Sequence, residues 1–185
     1  MIALEDERSA RLYFEGFRKE LRARRKVVIP DWSGSDPKSV VQAAKKARQE
    51  EDSPPDEVWV VFDTEGEQNV PRQQAARSAI DQAGSLGIQT AVSNPTFEYW
   101  LLLHFEWCVK TLADGAAVCH LLKKHIPGYD KGYDCYSITR PHVQTAIEHA
   151  KRVFTERHRY SSNHHCDCHP CTEVYRLVES LLSEA

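Results

Sequence analysis

The sequence lacks any apolar run that approaches the roughly 18 residues needed for a membrane-spanning helix. We expect no secretory leader, because the first residues, MIALEDERS, carry acids where a leader has a basic region and a long apolar stretch. Six cysteines in 185 residues are too few for a disulfide scaffold of this size. These absences predict a cytoplasmic protein with reduced thiols and no membrane partner.

An excess of basic charge is missing as well. The formal net charge is −3 with neutral histidines, so any contact with a nucleic acid has to be local. The densest basic segment is RKELRARRK (18–26), in which six of nine residues are basic. This segment is either a solvated helix face or a patch that contacts phosphates, and its candidate residues are Arg18, Lys19, Arg22, Arg24, Arg25 and Lys26.

Apolar patterning predicts a single compact α/β domain. Candidate strands alternate with candidate helices in the first half of the chain; the strands are 2–4, 27–29, 58–63 and 88–93, and the helices are about 9–25, 36–50 and 72–83. This order favours a mostly parallel sheet of about four strands with helices on both faces. The later segments 115–125, 141–158 and 172–182 are also helical in pattern. We therefore expect an α/β core over 1–110 and a helical extension over 111–185, packed on the core.

The segment SNPTFEYWLLLHFEW (93–107) predicts a largely buried helix, with Asn94 as its cap and Pro95 behind the cap. Glu98 is an acid within this apolar pattern. A buried carboxylate must be paired or bound to a metal, so Glu98 either supports a site or faces solvent. His104 is expected to be a core histidine with satisfied hydrogen bonds.

Carboxylates follow two of the candidate strands. Glu5 comes directly after the first strand, and Asp63 and Glu65 end the segment VWVVFDTE. Ligands of open α/β sheets lie outside the carboxyl ends of the strands, and alternate residues of an extended segment point the same way. Crowded carboxylates need a cation, and hard oxygen ligands suit Mg²⁺ or Mn²⁺. The alternative is a solvated acidic loop.

Several segments resemble RloB-family proteins, in the order expected for that family. These are IALEDERSARLYFEGF (2–17), VWVVFDTEGEQN (58–69), SNPTFEYWLLLHF (93–105), IPGYDKG (126–132) and HPCTEVYRLVESL (169–181). The resemblance implies a Toprim-like fold and metal-dependent cutting of nucleic acid in bacterial or archaeal antiphage defence. It also implies partners: DNA or tRNA as substrate, an RloA-like ATPase and, as a further option, other copies of the chain.

The resemblance also implies roles for single residues. Glu5 corresponds to a glutamate that acts as general acid/base or metal ligand, and Asp63 and Glu65 correspond to the two metal-binding aspartates of an Asp-x-Asp motif. Glu98 and Lys131 are implied as supporting residues near the metal and the phosphate. Two positions depart from the pattern: the second aspartate is Glu65, and the glycine that usually follows the first glutamate is Asp6.

These departures support a second hypothesis, a catalytically weak or inactive subunit that binds nucleic acid or the partner. A phosphotransferase or phosphatase ranks lower, since no convincing nucleophile motif is present. Glu67 continues the alternation of acidic residues but has no counterpart in the family. It is expected at most to contact the metal-binding residues, not the metal itself.

The segment HHCDCHPC (164–171) is a candidate zinc site. Cys166, Cys168 and Cys171, with His169 among them, could supply four tetrahedral ligands, and His164 and His165 lie beside them. The alternative is a set of free thiols in a reducing compartment.

Overall fold

A four-stranded sheet organises the protein. The computed structural model describes residues 1–31, 34–66, 68–158 and 168–183. Three strands run parallel, and the fourth is antiparallel to the third: β1 (Ile2–Leu4), β2 (Trp59–Asp63), β3 (Gln89–Asn94) and β4 (Cys171–Thr172), in that spatial order. The predicted α/β architecture with a mostly parallel sheet is confirmed.

Eight α-helices lie in the described ranges, with a 3₁₀ turn at Arg140–His142. They are α1 (Ser9–Leu21), α2 (Pro37–Glu50), α3 (Val70–Ser85), α4 (Glu98–Leu103), α5 (Gly115–His125), α6 (Tyr136–Thr139), α7 (Val143–His158) and α8 (Val174–Leu182). The predicted start of α2 is confirmed, because the Asp36 side chain accepts hydrogen bonds from the backbone N–H groups of Lys38 and Ser39. None of the helices in these ranges has the length and apolar character needed to cross a bilayer.

Helices cover both faces of the sheet. Residues of β2 alternate between two cores: Trp59 and Val61 pack with α1, α4, α5, α7 and α8, while Val60 and Phe62 pack with α2 and α3. A strand that is buried on both faces reads as a continuous apolar run, which explains the composition of β2. The first core takes residues from both parts of the chain, and the division at residue 110 stays a prediction.

Two local predictions are wrong. Residues 27–29 form no strand; the backbone N–H of Ile2 donates to the Val28 carbonyl, and Pro30 has no N–H with which to extend a ladder. The fourth strand is instead β4, which contains only two residues. Asn94 is not a helix cap: it ends β3, pairs with Cys171, and precedes a cis peptide bond to Pro95.

A left-handed turn follows β2. Glu65 has φ 60° and Gly66 has φ 96°, both in the region that L-residues rarely adopt. The turn is fixed by backbone bonds, in which Thr64 N–H donates to the Ser93 carbonyl (3.0 Å) and Glu65 N–H to the Pro95 carbonyl (2.8 Å). A Cβ atom at Gly66 would lie 2.7 Å from the Ala113 carbonyl oxygen. Glycine is therefore required for both conformation and space.

Gly66→Ala is expected to lower the free energy of unfolding by about 3 kcal/mol, because it adds a backbone clash to the cost of a positive φ. Gly87→Ala is the matched control, since Gly87 has φ 65° and a Cβ atom placed there would meet no neighbouring side chain or backbone within 4 Å. The control should cost about 1 kcal/mol. Urea denaturation of both variants measures the difference, and equal losses would contradict the close approach to Ala113.

Candidate active site

A cavity of about 450 Å³ lies at the carboxyl edge of the parallel strands. β1 and β2 end at this same edge. Leu4 of β1 pairs with Val61 of β2, so Glu5 lies beside the end of β2. The predicted residues Glu5, Asp63, Glu65 and Lys131 all line this cavity; the remaining lining residues are Asp6, Arg72, Pro95, Thr96, Asp114 and Gly115. The fold therefore gathers the predicted carboxylates around one space.

Asp63 is the most unusual carboxylate in this cavity. Its backbone N–H donates to Glu5 Oε2 (3.3 Å). The residue as a whole is partly exposed, but its Oδ1 atom is buried and has no hydrogen-bond partner among the described residues. Burial, with the nearby carboxylates of Glu98, Glu5 and Asp6, raises the pKa of Asp63 well above its ordinary value. A proton or a cation at this oxygen would offset the cost of its burial.

Arg72 is a site residue that the sequence interpretation missed. It lies in the first turn of α3, and its Nη2 atom contacts both carboxylate oxygens of Glu5. Its Nε–H donates to the backbone carbonyl of Asp63 (2.9 Å). Since a helix that follows a parallel strand begins at the carboxyl edge, a basic residue at the start of α3 was a readable signal.

Glu65 lies at the rim of the cavity. Its side chain is 56% exposed, and its Oε2 atom accepts a hydrogen bond from Asn69 Nδ2 (2.8 Å). The expectation of an extended backbone from Asp63 to Glu65 is wrong, because the strand ends at Asp63 and Glu65 adopts a left-handed conformation. Both residues nevertheless line the cavity. Glu67 lies outside the described residues.

Glu98 is fully buried behind the cavity, so the solvent-facing alternative is wrong. It accepts hydrogen bonds from the hydroxyls of Ser9 (2.7 Å), Tyr129 (3.3 Å) and Thr96, and Lys131 Nζ lies 3.7 Å from its Oε2 atom. The Lys131 side chain is 49% exposed. Burial lowers the pKa of Lys131, but the neighbouring carboxylates, above all Glu98, give a net increase. Glu98 therefore holds a charged ammonium group at the cavity.

Asp6 caps α1. Its carboxylate oxygens accept hydrogen bonds from the backbone N–H groups of Arg8 (2.8 Å) and Ala10 (3.2 Å). Burial and the nearby Glu98 raise the pKa of Asp6. Among the described non-glycine residues, Glu65 alone has a positive φ. An aspartate in place of glycine therefore introduces no strained turn at residue 6.

The donor set at this edge suits a hard divalent cation. Across 1–31, 34–66, 68–158 and 168–183, no three His, Cys, Asp or Glu side chains are grouped to hold a metal ion. Mg²⁺ needs no such cage, since one or two carboxylates usually bind it together with water and substrate phosphates. The buried oxygen of Asp63 and the adjacent Glu5 carboxylate fit that requirement.

The candidate zinc residues are described in part. Cys166, His164 and His165 lie outside the described residues, whereas Cys168, His169 and Cys171 are buried near β4. The Cys171 thiol donates to the Cys168 carbonyl (2.9 Å), and His169 Nδ1 lies 2.7 Å from Asn94 Oδ1. A separate interaction, between the Cys171 and Cys168 thiols, lowers the pKa of Cys168. A zinc site here stays a prediction.

The basic segment lies away from the carboxylate cavity. α1 begins at the carboxyl edge and extends for 13 residues, about 20 Å, toward the opposite edge. There, Arg24, Arg25 and Lys26 line a second cavity of about 400 Å³. Part of the segment is engaged internally: Arg18 pairs with Glu15, Lys26 with Glu51, and Arg25 donates to the carbonyls of Ser180 and Ser183. A role in binding nucleic acid stays a prediction.

Comparison with known proteins gives one finding. The family model described as RloB-like protein matches residues 1–181, which is nearly the whole chain. No curated protein and no solved structure gives a significant match.

Proposed function

The chain belongs to the RloB-like family, and on that basis we propose that it is a divalent-metal-dependent nuclease of prokaryotic antiphage defence. The proposed reaction is hydrolysis of phosphodiester bonds in DNA or RNA, within a Toprim-like fold and with an RloA-like ATPase as partner. The observation that carries the proposal is the buried Oδ1 atom of Asp63, which has no hydrogen-bond partner in the described part of the chain and lies beside the carboxylate of Glu5.

Asp63 and Glu5 are the residues that would hold Mg²⁺ or Mn²⁺. When bound, such a cation activates water and offsets the charge that develops on phosphate oxygens. Glu65, at the rim, lies where it can contact outer-sphere water or substrate. These assignments follow from the two-carboxylate geometry, which suits a cation that keeps several waters and a substrate phosphate.

Positive side chains complete the cavity. Lys131 lies 3.7 Å from Glu98 and lines the same space, so its half-exposed ammonium group is available to a phosphate oxygen. The cavity volume, about 450 Å³, lies within the range typical of ligand sites and admits a phosphate with adjoining sugar. These features support a phosphodiester as the group that binds.

Glu5→Gln is expected to reduce cleavage about 100-fold or more, because it removes one charged ligand or one general acid/base. The assay incubates the full chain with plasmid DNA, single-stranded DNA and tRNA in Mg²⁺, Mn²⁺ or EDTA. Glu7→Gln is the matched control, since Glu7 is exposed and pairs with Arg11 rather than lining the cavity. Equal rates for the wild type and Glu5→Gln would remove Glu5 from the mechanism.

A second candidate function is a non-catalytic subunit that binds nucleic acid or the ATPase. Two observations favour it: Arg72 already contacts both oxygens of Glu5, and Glu65 bonds with Asn69 at the rim. This alternative requires that no cleavage occurs with or without an RloA-like ATPase. It also requires that nucleic-acid binding survives Asp63→Asn and is lost when the exposed residues Lys19, Arg22 and Arg24 are replaced.

A further inference from the structure

Arg72 occupies a carboxylate that the proposed metal needs. Its Nη2 atom contacts both oxygens of Glu5, and the two side chains are only 12% and 13% exposed. Its Nε–H is anchored on the Asp63 carbonyl at 2.9 Å, and its Nε atom lies 3.8 Å from Glu65 Oε1. The guanidinium group is thus fixed among the three carboxylate residues at the end of β2.

The contacts of Arg72 balance charge at this edge. Glu5 and Asp63 lie close enough for a hydrogen bond between the Asp63 N–H and Glu5 Oε2, and Asp6 and Glu98 lie nearby. Negative groups this close repel each other strongly in a partly buried setting. Lys131 is paired with Glu98, and Arg72 is in direct contact with Glu5.

We propose that Arg72 acts through Glu5 by competing with the divalent cation for its carboxylate. In the metal-free site the guanidinium group neutralises the Glu5 carboxylate, and a cation has to displace it from both oxygens. Arg72 therefore sets the metal affinity of the site. This inference rests on the proposed metal-dependent function, because it requires that a divalent cation binds at Glu5 and Asp63.

The anchor on the Asp63 carbonyl gives the exchange a defined geometry. If a cation binds the Glu5 oxygens, the backbone carbonyl of Asp63 can still accept a hydrogen bond. The bond from Arg72 Nε–H to this carbonyl then keeps the guanidinium group at the cavity wall. The side chain then presents its positive charge to the same cavity that Lys131 lines. Competition and proximity together distinguish this role from that of a residue which only supports the fold.

The test is Mn²⁺ binding to the full chain, measured by electron paramagnetic resonance of free Mn²⁺. Arg72→Gln is expected to bind Mn²⁺ about tenfold more tightly than the wild type, because the competing cation has been removed. Arg72→Lys keeps the charge but cannot hold Glu5 and the Asp63 carbonyl at once, so its affinity should rise about threefold. Arg77→Gln is the matched control on the same helix, exposed and outside the cavity lining, and should bind as the wild type does.

The outcomes separate this inference from the proposed function. The inference is overturned if the wild type binds Mn²⁺ and Arg72→Gln binds it with equal or lower affinity. That result leaves the proposed function standing. A merely structural role gives the weaker binding, since Glu5 then loses its position. If Arg72→Gln does not fold, Arg72→Lys is used instead. Mn²⁺ affinity of Arg72→Lys that equals the wild-type value or lies below it overturns the inference. If the wild type binds no Mn²⁺ at millimolar concentration, both the inference and the metal-dependent function are overturned.

Discussion

Asp63→Asn is expected to abolish cleavage while making the metal-free protein more stable. Loss of the charged oxygen should reduce the rate at least about 10³-fold, because the cation then lacks its central ligand. The same change removes a carboxylate whose Oδ1 atom is buried without a partner among the described residues. Relief of that desolvation cost should raise the free energy of unfolding by about 1–2 kcal/mol.

The stability difference should depend on pH. The pKa of Asp63 is raised in the folded protein, so between its ordinary value near 4 and the folded value the native state holds a proton that the unfolded chain has lost. Wild-type stability therefore falls as pH increases through this window, and the advantage of Asp63→Asn grows and then levels off. Urea denaturation in EDTA at several pH values measures this. Asp81→Asn, at an exposed position on α3, is the control, and parallel curves for Asp63→Asn and wild type would contradict the raised pKa.

Glu98→Leu is expected to lower the free energy of unfolding by about 3–5 kcal/mol, because each buried hydroxyl that loses its acceptor costs about 1–3 kcal/mol. The substitution leaves the hydroxyls of Ser9, Tyr129 and Thr96 without their shared acceptor and leaves Lys131 without its nearest carboxylate. Glu98→Gln retains the shape and one acceptor oxygen, so it should cost less, about 1–3 kcal/mol. The order of the two losses is itself a prediction.

Thermal and urea unfolding of these variants measures the network directly. Glu148→Gln, on the exposed side of α7, is the matched control and should change stability by about 0.5 kcal/mol or less. Losses for both Glu98 variants as small as that of the control would show that the hydroxyl network contributes little. The Glu98→Gln variant should also cleave more slowly than the wild type, because Lys131 loses its charged neighbour at the cavity.

The fold was predictable where local physics decides it. β2 has a continuous apolar pattern because helices cover both its faces, and α2 begins at a legible cap, Asp36 followed by Pro37. β4 was not predictable: it has two residues, and its pairing with β3 joins positions 79 residues apart, as in the Ser93–Thr172 contact. Residues 27–29 are apolar and β-branched, a pattern that predicts a strand. They pack in the core but form no strand of the sheet.

The site was predictable for the residues that parallel strands bring to a common edge. Glu5 and Asp63 meet there because β1 and β2 are neighbours, a consequence of topology. Arg72 was missed because its contact with Glu5 spans 67 residues and depends on side-chain reach. The alternation predicted for Asp63 and Glu65 does not apply, since it holds only in extended backbone and Glu65 is left-handed.

The most direct test of the central claim is the Mn²⁺ dependence of cleavage by the wild-type chain, on the substrate that is cut fastest. A catalytic cation at Asp63 and Glu5 predicts no cleavage in EDTA. It also predicts that one Mn²⁺ concentration gives both half-maximal cleavage and half-saturation of the Mn²⁺-binding site. Asp63→Asn should eliminate that binding site. Cleavage that persists in EDTA, or a metal dependence that Asp63→Asn leaves unchanged, would contradict the claim that Asp63 and Glu5 hold the catalytic cation.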